Sequence, residues 1–277
     1  MSDALPRVGF VGVGTIAEAL ITGMCAGGDQ RADFLLSPRN AEIANRLAAH
    51  HPFIRVAADN QAVVDGSDIV FLAIRPQVAE EVLTPLTFRA DQRIVSLVAT
   101  YDVARLQPLV APATTIARAV PLPPIARREA AMTLYPPIPE IAVLLDGLGQ
   151  IVQLDREADI DSCLAVTALM GSYFGMLEGI SGWLSQRGIP EDRAQSYVGA
   201  IYHALGATAE AQSSEGFARL SVEYSTAGGL NEQAWRELKA AGWSGLVSEA
   251  LDLIHDRIGG RATLADRLPR NKDHSGS

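Results

Sequence analysis

With 277 residues and a formal net charge of -9, the chain has the length for two domains and a sizeable core, and it lacks the basic excess needed to hold a phosphate backbone across its surface. Its two cysteines, Cys25 and Cys163, stand far apart with no C-x-x-C pair and no His spacing around them, which argues against a disulfide framework or a metal site and makes both small buried hydrophobes. No unbroken apolar run of about 18 residues occurs, and the first strand is reached by Val8 without a basic stretch leading into an apolar one, so the expectation is a soluble, cytoplasmic protein with neither membrane nor nucleic-acid partner.

In chain order, strand-like apolar runs at Val8–Val11, Phe34–Ser37, Ile69–Ala73, Ile94–Val98 and Thr115–Ala119 alternate with helical spacing over Thr15–Gly27, Ala41–His50 and Gln77–Leu83. That alternation predicts an α/β Rossmann domain over residues 1–154, a parallel sheet with flanking crossover helices. From Asp155 the β-branched runs give way to Ala-rich helical stretches, Glu157–Gln186, Glu191–Ser213 and Trp243–Ile258, which predict an all-α second domain over 155–264. Pro190 and the acidic residues after it suit a helix start, and Gly259-Gly260 suits a helix end. The polar remainder, 265–277, reads as a disordered tail.

The first strand runs into Gly12-Val13-Gly14-Thr15-Ile16-Ala17, a G-x-G-x-x-A turn leading straight into a helix. Gly12 permits a tight turn, Gly14 lets backbone approach a diphosphate, and Ala17 lets the helix pack closely on its strand; the helix amides at Thr15 and Ile16 then face negative charge. An ordinary strand-to-helix turn is the bland alternative, but the strand, helix and following units supply the dinucleotide-binding context. At the end of the second strand stand Ser37, Arg39 and Asn40, where a cofactor without a 2′-phosphate usually meets a carboxylate. A guanidinium and a hydroxyl suit that phosphate, so NADP(H) is favoured over NAD(H). After the strand ending at Ala73, Pro76 keeps Arg75 extended, and the loop passes close to the ligand. Arg75 is either a second cofactor contact or a solvated arginine.

These blocks carry a family resemblance. "GFVGVGTIAEALITGM", "LAIRPQ", "SLVATYDVARLQ", "IARAVPLPP", "VTALMGSYFG" and "EYSTAGGLN" fall in the order and spacing of the pyrroline-5-carboxylate reductases, which the chain resembles from about Val8 to Ile258. The resemblance implies a helical domain that forms a homodimer or higher homo-oligomer, and NADPH-dependent reduction of a small cyclic imine, pyrroline-5-carboxylate (to proline) or a related imino acid. It also implies substrate-carboxylate contacts from the segments that hold Ser172, Ser225, Thr226, Gly228 and Gly229, although the three hydroxyl residues read equally as helix caps. Read from their own chemistry, Tyr173 gives a proton or stacks on the substrate ring, or is a core aromatic, and Asn231 stands in for a lost hydroxyl.

Departures cluster at those positions. Met170, Tyr173 and Phe174 stand where small or polar residues are usual, Ala227, Leu230 and Asn231 stand at the proline and two threonines of the second turn, and Leu122 and Pro123 replace an asparagine and a threonine. Loss of hydroxyl donors points to an altered imine specificity, or to a non-catalytic NADP-binding paralogue acting as a sensor or regulator. A β-hydroxyacid dehydrogenase would need a catalytic lysine in the helical part, and the chain's only lysines are Lys239 and Lys272. Plainer readings serve elsewhere: His203 packs mid-helix, His50-His51 closes a helix, Glu18 orients backbone, and Trp183, Trp235 and Trp243 belong to a core or a dimer interface.

Overall fold

The computed structural model describes residues 5–28 and 30–267. Its first compact unit runs to Leu164 and its second begins at Ala165, later than the change of texture at Asp155. The first unit opens with β1 (Arg7–Val11), α1 (Thr15–Cys25), β2 (Asp33–Leu36), α2 (Ala41–His50), β3 (Ile54–Val56), α3 (Asn60–Asp65) and β4 (Ile69–Leu72). A 3₁₀ turn at Pro76–Val78 leads to α4 (Ala79–Leu83), β5 (Arg93–Ser96), α5 (Val103–Val110) and β6 (Thr115–Val120); a second such turn, Pro123–Arg127, leads to β7 (Ala130–Tyr135), α6 (Pro139–Leu145) and β8 (Gly149–Gln153). Asp59 and Asp102 cap α3 and α5 through hydrogen bonds from the Ala62 and Arg105 amides, the usual service of an aspartate at that position.

Eight strands form one sheet in the order β3-β2-β1-β4-β5-β6-β7-β8. The sequence of strands reverses direction between β1 and β4, which opens a crevice at their carboxyl ends, where ligands bind in such sheets. The expected five-stranded parallel core is present, but the sheet is mixed, because β6 and β7 run antiparallel. Three strands escaped the pattern of the sequence: β3 has three residues, β7 runs straight into Pro136-Pro137, and β8 is an edge strand with only partial burial. Two aliphatic cores cover the sheet faces. One is centred on Phe10, whose ring stacks on Phe71 at 4.7 Å, and the other on Val70, Leu72 and Ile94.

The second unit contains α8 (Met170–Ser185), α9 (Glu191–Ala211), α10 (Phe217–Glu223), α11 (Leu230–Ala240) and α12 (Trp243–Ile258); α7 (Ala158–Thr167) leads into it. The single helix expected over Glu157–Gln186 is thus two helices, separated by a turn at Ala168 and Leu169. The stretch 158–185 is long and apolar enough to cross a membrane by composition alone, and little of it is buried in the single chain. Few side chains of this unit are buried, whereas Phe174, Trp183, Tyr197 and Leu230 stay 52–84% exposed, a far larger apolar surface than a self-sufficient soluble unit shows.

Several smaller expectations are corrected. Cys25 and Cys163 are half-buried rather than buried, and burial pushes the Cys25 thiol up to about 11. His203 is exposed, not packed; of the two alternatives for the three tryptophans, their exposure in the single chain leaves the dimer interface rather than the core. Residues 263–266, reaching into the expected tail, form a turn in which the Asp266 carboxylate accepts from the Thr263 amide at 2.6 Å; the rest of the tail, 268–277 with Lys272, lies outside the described residues.

Phe10 is fully buried against two other rings. Phe10→Ala is expected to cost about 3–5 kcal/mol, read as a lower midpoint in urea denaturation with an unchanged slope.

Candidate nucleotide-binding site

The turn after β1 is built by constraint. Gly12 has φ +92°, and a Cβ on it would lie 2.5 Å from the Ala73 carbonyl oxygen, so no other residue fits. Its amide donates to the Ser37 hydroxyl at 2.9 Å. Ser37 is wholly buried, which corrects the expectation that it offers that hydroxyl to a phosphate. Instead it ties the end of β2 to the glycine turn.

Gly14 is a different case. Its backbone, φ −101° and ψ −171°, is extended and open to any residue, and a Cβ there would meet nothing within 4 Å. The fold itself makes no demand for glycine at this position; the space beside it is kept clear. Gly14 is also the N-cap of α1 with no side-chain cap, so the first amides of that helix keep their hydrogen-bonding capacity and positive field for an anion. Glu18, in the first turn, does not fill that place: it pairs with Arg46 of α2.

Two cavities join at this turn into one groove along the carboxyl ends of the strands. One, of about 400 Å³, is lined by Gly12, Val13, Gly14, Arg39, Asn40, Ala41, Ala73, Ile74, Arg75 and Val78. The other, of about 510 Å³, is lined by Gly14, Thr15, Ile16, Ala17, Ala73, Ile74, Arg75, Pro76, Leu97, Ala99, Val120 and Pro121. Of the cofactor residues expected from sequence, Gly12, Gly14, Thr15, Ile16, Arg39, Asn40, Ala73, Arg75 and Pro76 are brought together here, and Ser37 stands behind them. Arg39 and Arg75 are exposed, and among the described residues neither has a carboxylate partner, whereas Arg7, Arg46, Arg93, Arg105 and Arg118 are all paired. Arg39 at one end, Arg75 where the two cavities adjoin, and four apolar residues, Leu97, Ala99, Val120 and Pro121, at the other end give the groove its polarity. All four lie in the blocks "SLVATYDVARLQ" and "IARAVPLPP", whose resemblance marks the region but not which residues face the groove. Leu122, which stands where the family carries an asparagine, is partly buried against the core.

The wall made by the segment after β5 is itself braced. Tyr101 is buried, its hydroxyl accepts from Arg105 at 2.9 Å, and the Arg105 guanidinium covers its ring at 3.7 Å. Burial raises the Tyr101 phenol above its ordinary range, and the Arg105 guanidinium holds the Glu80 carboxyl below its own.

In the second unit, Ser172 and Tyr173 lie exposed on the first turn of α8, and the Tyr173 ring meets Phe174 and Tyr202 edge-on. The Gly228-Gly229 turn precedes α11, but its amides are engaged: Gly228 donates to the Glu232 carboxylate at 2.6 Å and Gly229 to the Thr226 carbonyl at 2.8 Å. Asn231 gives its amide to the Tyr224 carbonyl at 2.9 Å. The expected donors Gly228, Gly229 and Asn231 are therefore occupied within the chain. Ser225 and Thr226 precede the helix without capping it, since its N-cap, Gly229, has no side-chain cap.

Comparison with known proteins agrees with this division. Residues 7–100 match the family model described as NADP oxidoreductase coenzyme F420-dependent, and residues 157–260 match the one described as pyrroline-5-carboxylate reductase dimerisation. A pyrroline-5-carboxylate reductase of Pseudomonas aeruginosa is 30% identical, over 95% of this chain and 98% of that protein. The chain belongs to the pyrroline-5-carboxylate reductase family. Two solved structures share its fold: the enzyme of Streptococcus pyogenes, with a TM-score of 0.77 at 23% identity over 92% of this chain and 99% of that one, and that of Plasmodium falciparum with NADP bound, with a TM-score of 0.74 at 15% identity over 93% and 98%. The chain is an NAD(P)H-dependent oxidoreductase that acts on a C=N bond, and its helical unit is a homo-oligomerisation module.

Two substitutions separate the roles of the turn. Gly14→Val is expected to leave the thermal midpoint unchanged while abolishing nucleotide binding by calorimetry. Ser37→Ala removes one buried acceptor of about 1–1.5 kcal/mol and is expected to weaken NADPH and NADH alike by roughly tenfold, because the bond it breaks positions the diphosphate turn shared by both.

Proposed function

We propose that this chain reduces a small cyclic imine, pyrroline-5-carboxylate to proline or a related imino acid, with NADPH in preference to NADH. The observation that carries the reading is the polarity of the groove: uncapped α1 amides and the unpaired Arg75 in its middle, the unpaired Arg39 at its adenosine end, and an apolar end over β5 and β6. The residues present fit a phosphorylated dinucleotide. Gly14 clears space for the diphosphate, the amides of Thr15 and Ile16 face it, and Arg39 with Asn40 meets the 2′-phosphate through paired charge-assisted hydrogen bonds. Arg75 stands beside both.

When bound, that cofactor supplies a hydride to the electrophilic carbon of the imine, while the nitrogen takes a proton and C=N becomes CH–NH. Leu97, Ala99, Val120 and Pro121 exclude water from the end of the groove where that exchange belongs. In the helical unit, Tyr173 is the proton donor or stacking partner. Ser172, Ser225 and Thr226 offer hydroxyls, and the first amides of α11 offer N–H groups, to the substrate carboxylate, while the Gly228 and Gly229 amides serve the turn itself. The partner that covers the exposed aromatic face is a second copy, and the protein is cytoplasmic, with no membrane or nucleic-acid partner. A non-catalytic sensor is disfavoured by the match of the whole chain to enzymes of this name.

The direct test is NADPH oxidation with pyrroline-5-carboxylate, pyrroline-2-carboxylate and carboxylate-free cyclic imines, with proline measured as product. Turnover of none of them by protein that still binds NADPH would establish the sensor instead. Arg39→Gln is expected to raise the KM for NADPH about 10–100-fold, the loss of one charged phosphate contact, and to leave the KM for NADH unchanged.

A further inference from the structure

Arg118 is the one charged residue among the buried side chains of the described residues, at 4% exposure on β6. Its neighbours on that strand, Ala117 and Ala119, point into the aliphatic core around Phe10; Arg118, one step out of phase, points to the opposite face of the sheet. There Nη1 donates to Glu157 Oε1 at 2.9 Å and Nη2 to the Ala99 carbonyl at 2.8 Å. The same Glu157 oxygen accepts from the Val103 amide at 2.7 Å. One ion pair thus pins the connection from β5 to α5 at two points, Ala99 within it and Val103 where α5 begins. Ala99 lines the apolar end of the groove, and so do Val120 and Pro121, two and three residues beyond Arg118 on the same strand and the turn after it. A buried charge is costly even when paired, and an apolar residue of similar size would fill the space at least as stably. The bonds to backbone are what an apolar residue would not supply.

We propose that Arg118 and Glu157 are positioning residues for the reduction, touching neither cofactor nor substrate but fixing the two sides of the groove between which the reacting ring is held. The inference rests on the reading of the groove given above. A charge pair does this better than aliphatic packing because its hydrogen bonds are directional, and a displacement of about 1 Å at such a wall costs on the order of a hundredfold in rate.

The test uses the full chain as wild type, Arg118→Lys and Glu157→Gln. Arg118→Lys keeps the charge but not the two-pronged reach; Glu157→Gln keeps an acceptor for Val103 without the charge and guards against a variant that fails to fold. Expected are an NADPH Kd by fluorescence titration within about threefold of wild type and a kcat lower by about 10–100-fold. The circular-dichroism band of bound nicotinamide should weaken, and amide hydrogen exchange of the cofactor-free protein should quicken about tenfold or more over residues 97–103 alone. Unchanged kcat in both variants would overturn the proposal, as would Kd worsening in step with kcat, or exchange quickened over the whole sheet, the mark of a merely structural pair. If wild type turns over no cyclic imine, the reading of the groove falls and this inference with it; if wild type is active and the variants match it, only the inference falls.

Discussion

One hydrogen bond, from the Gly12 amide to the buried Ser37 hydroxyl, holds together the parts of this protein that meet a nucleotide. Gly12 adopts a conformation closed to other residues, its Cα lies against the Ala73 carbonyl, and Ser37 closes the turn from the side of β2. Three strand ends are thereby fixed relative to one another. Without that closure the turn after β1 would have an unpaired buried amide and no reason to keep the axis of α1 aimed along the crevice.

Around this point the groove sorts its chemistry by strand. Over β2 and the loop after β4 the chain leaves cationic side chains without partners, though it pairs most of its arginines elsewhere. Over β5 and β6 it leaves aliphatic side chains and a proline. The contrast matters because the surface as a whole is acidic, at a net charge of -9. An anionic ligand is attracted to one end of one groove rather than to the molecule at large, since fixed charges act strongly over a few ångströms and are screened beyond about 8–10 Å in salt. Electrostatics here selects a place and an orientation, and the apolar end then excludes water where charge would compete.

How much of this was legible in the sequence follows from the range over which each signal acts. The glycine turn, the crossover rhythm and the arginine at the end of β2 are local patterns, and the structure keeps each of them. Ser37 was read as a ligand contact because a hydroxyl at a strand end looks alike whether it faces solvent or a neighbouring amide 25 positions earlier in the chain. Pairings over long separations, such as Arg118 with Glu157, leave no mark in a linear pattern. β3 and β8 leave little mark for a related reason: strands at a sheet edge are held by their neighbour rather than by their own alternation. The Gly228-Gly229 turn was recognised as a turn, but its spent amides could be seen only once Glu232 was found folded back upon it.

The sparse interior of the helical unit has a consequence for how the protein behaves as material. A body whose aromatic side chains outnumber its buried ones within a single copy draws its cohesion from mass action, so its melting point rises with protein concentration and falls on dilution. A newly made copy has a finite interval before it finds another, during which α8 and α9 are its most adhesive surface. Abundance thereby enters the folding equilibrium directly, and a modest cut in synthesis would be felt twice, once in the number of copies and again in the fraction of them that stay folded.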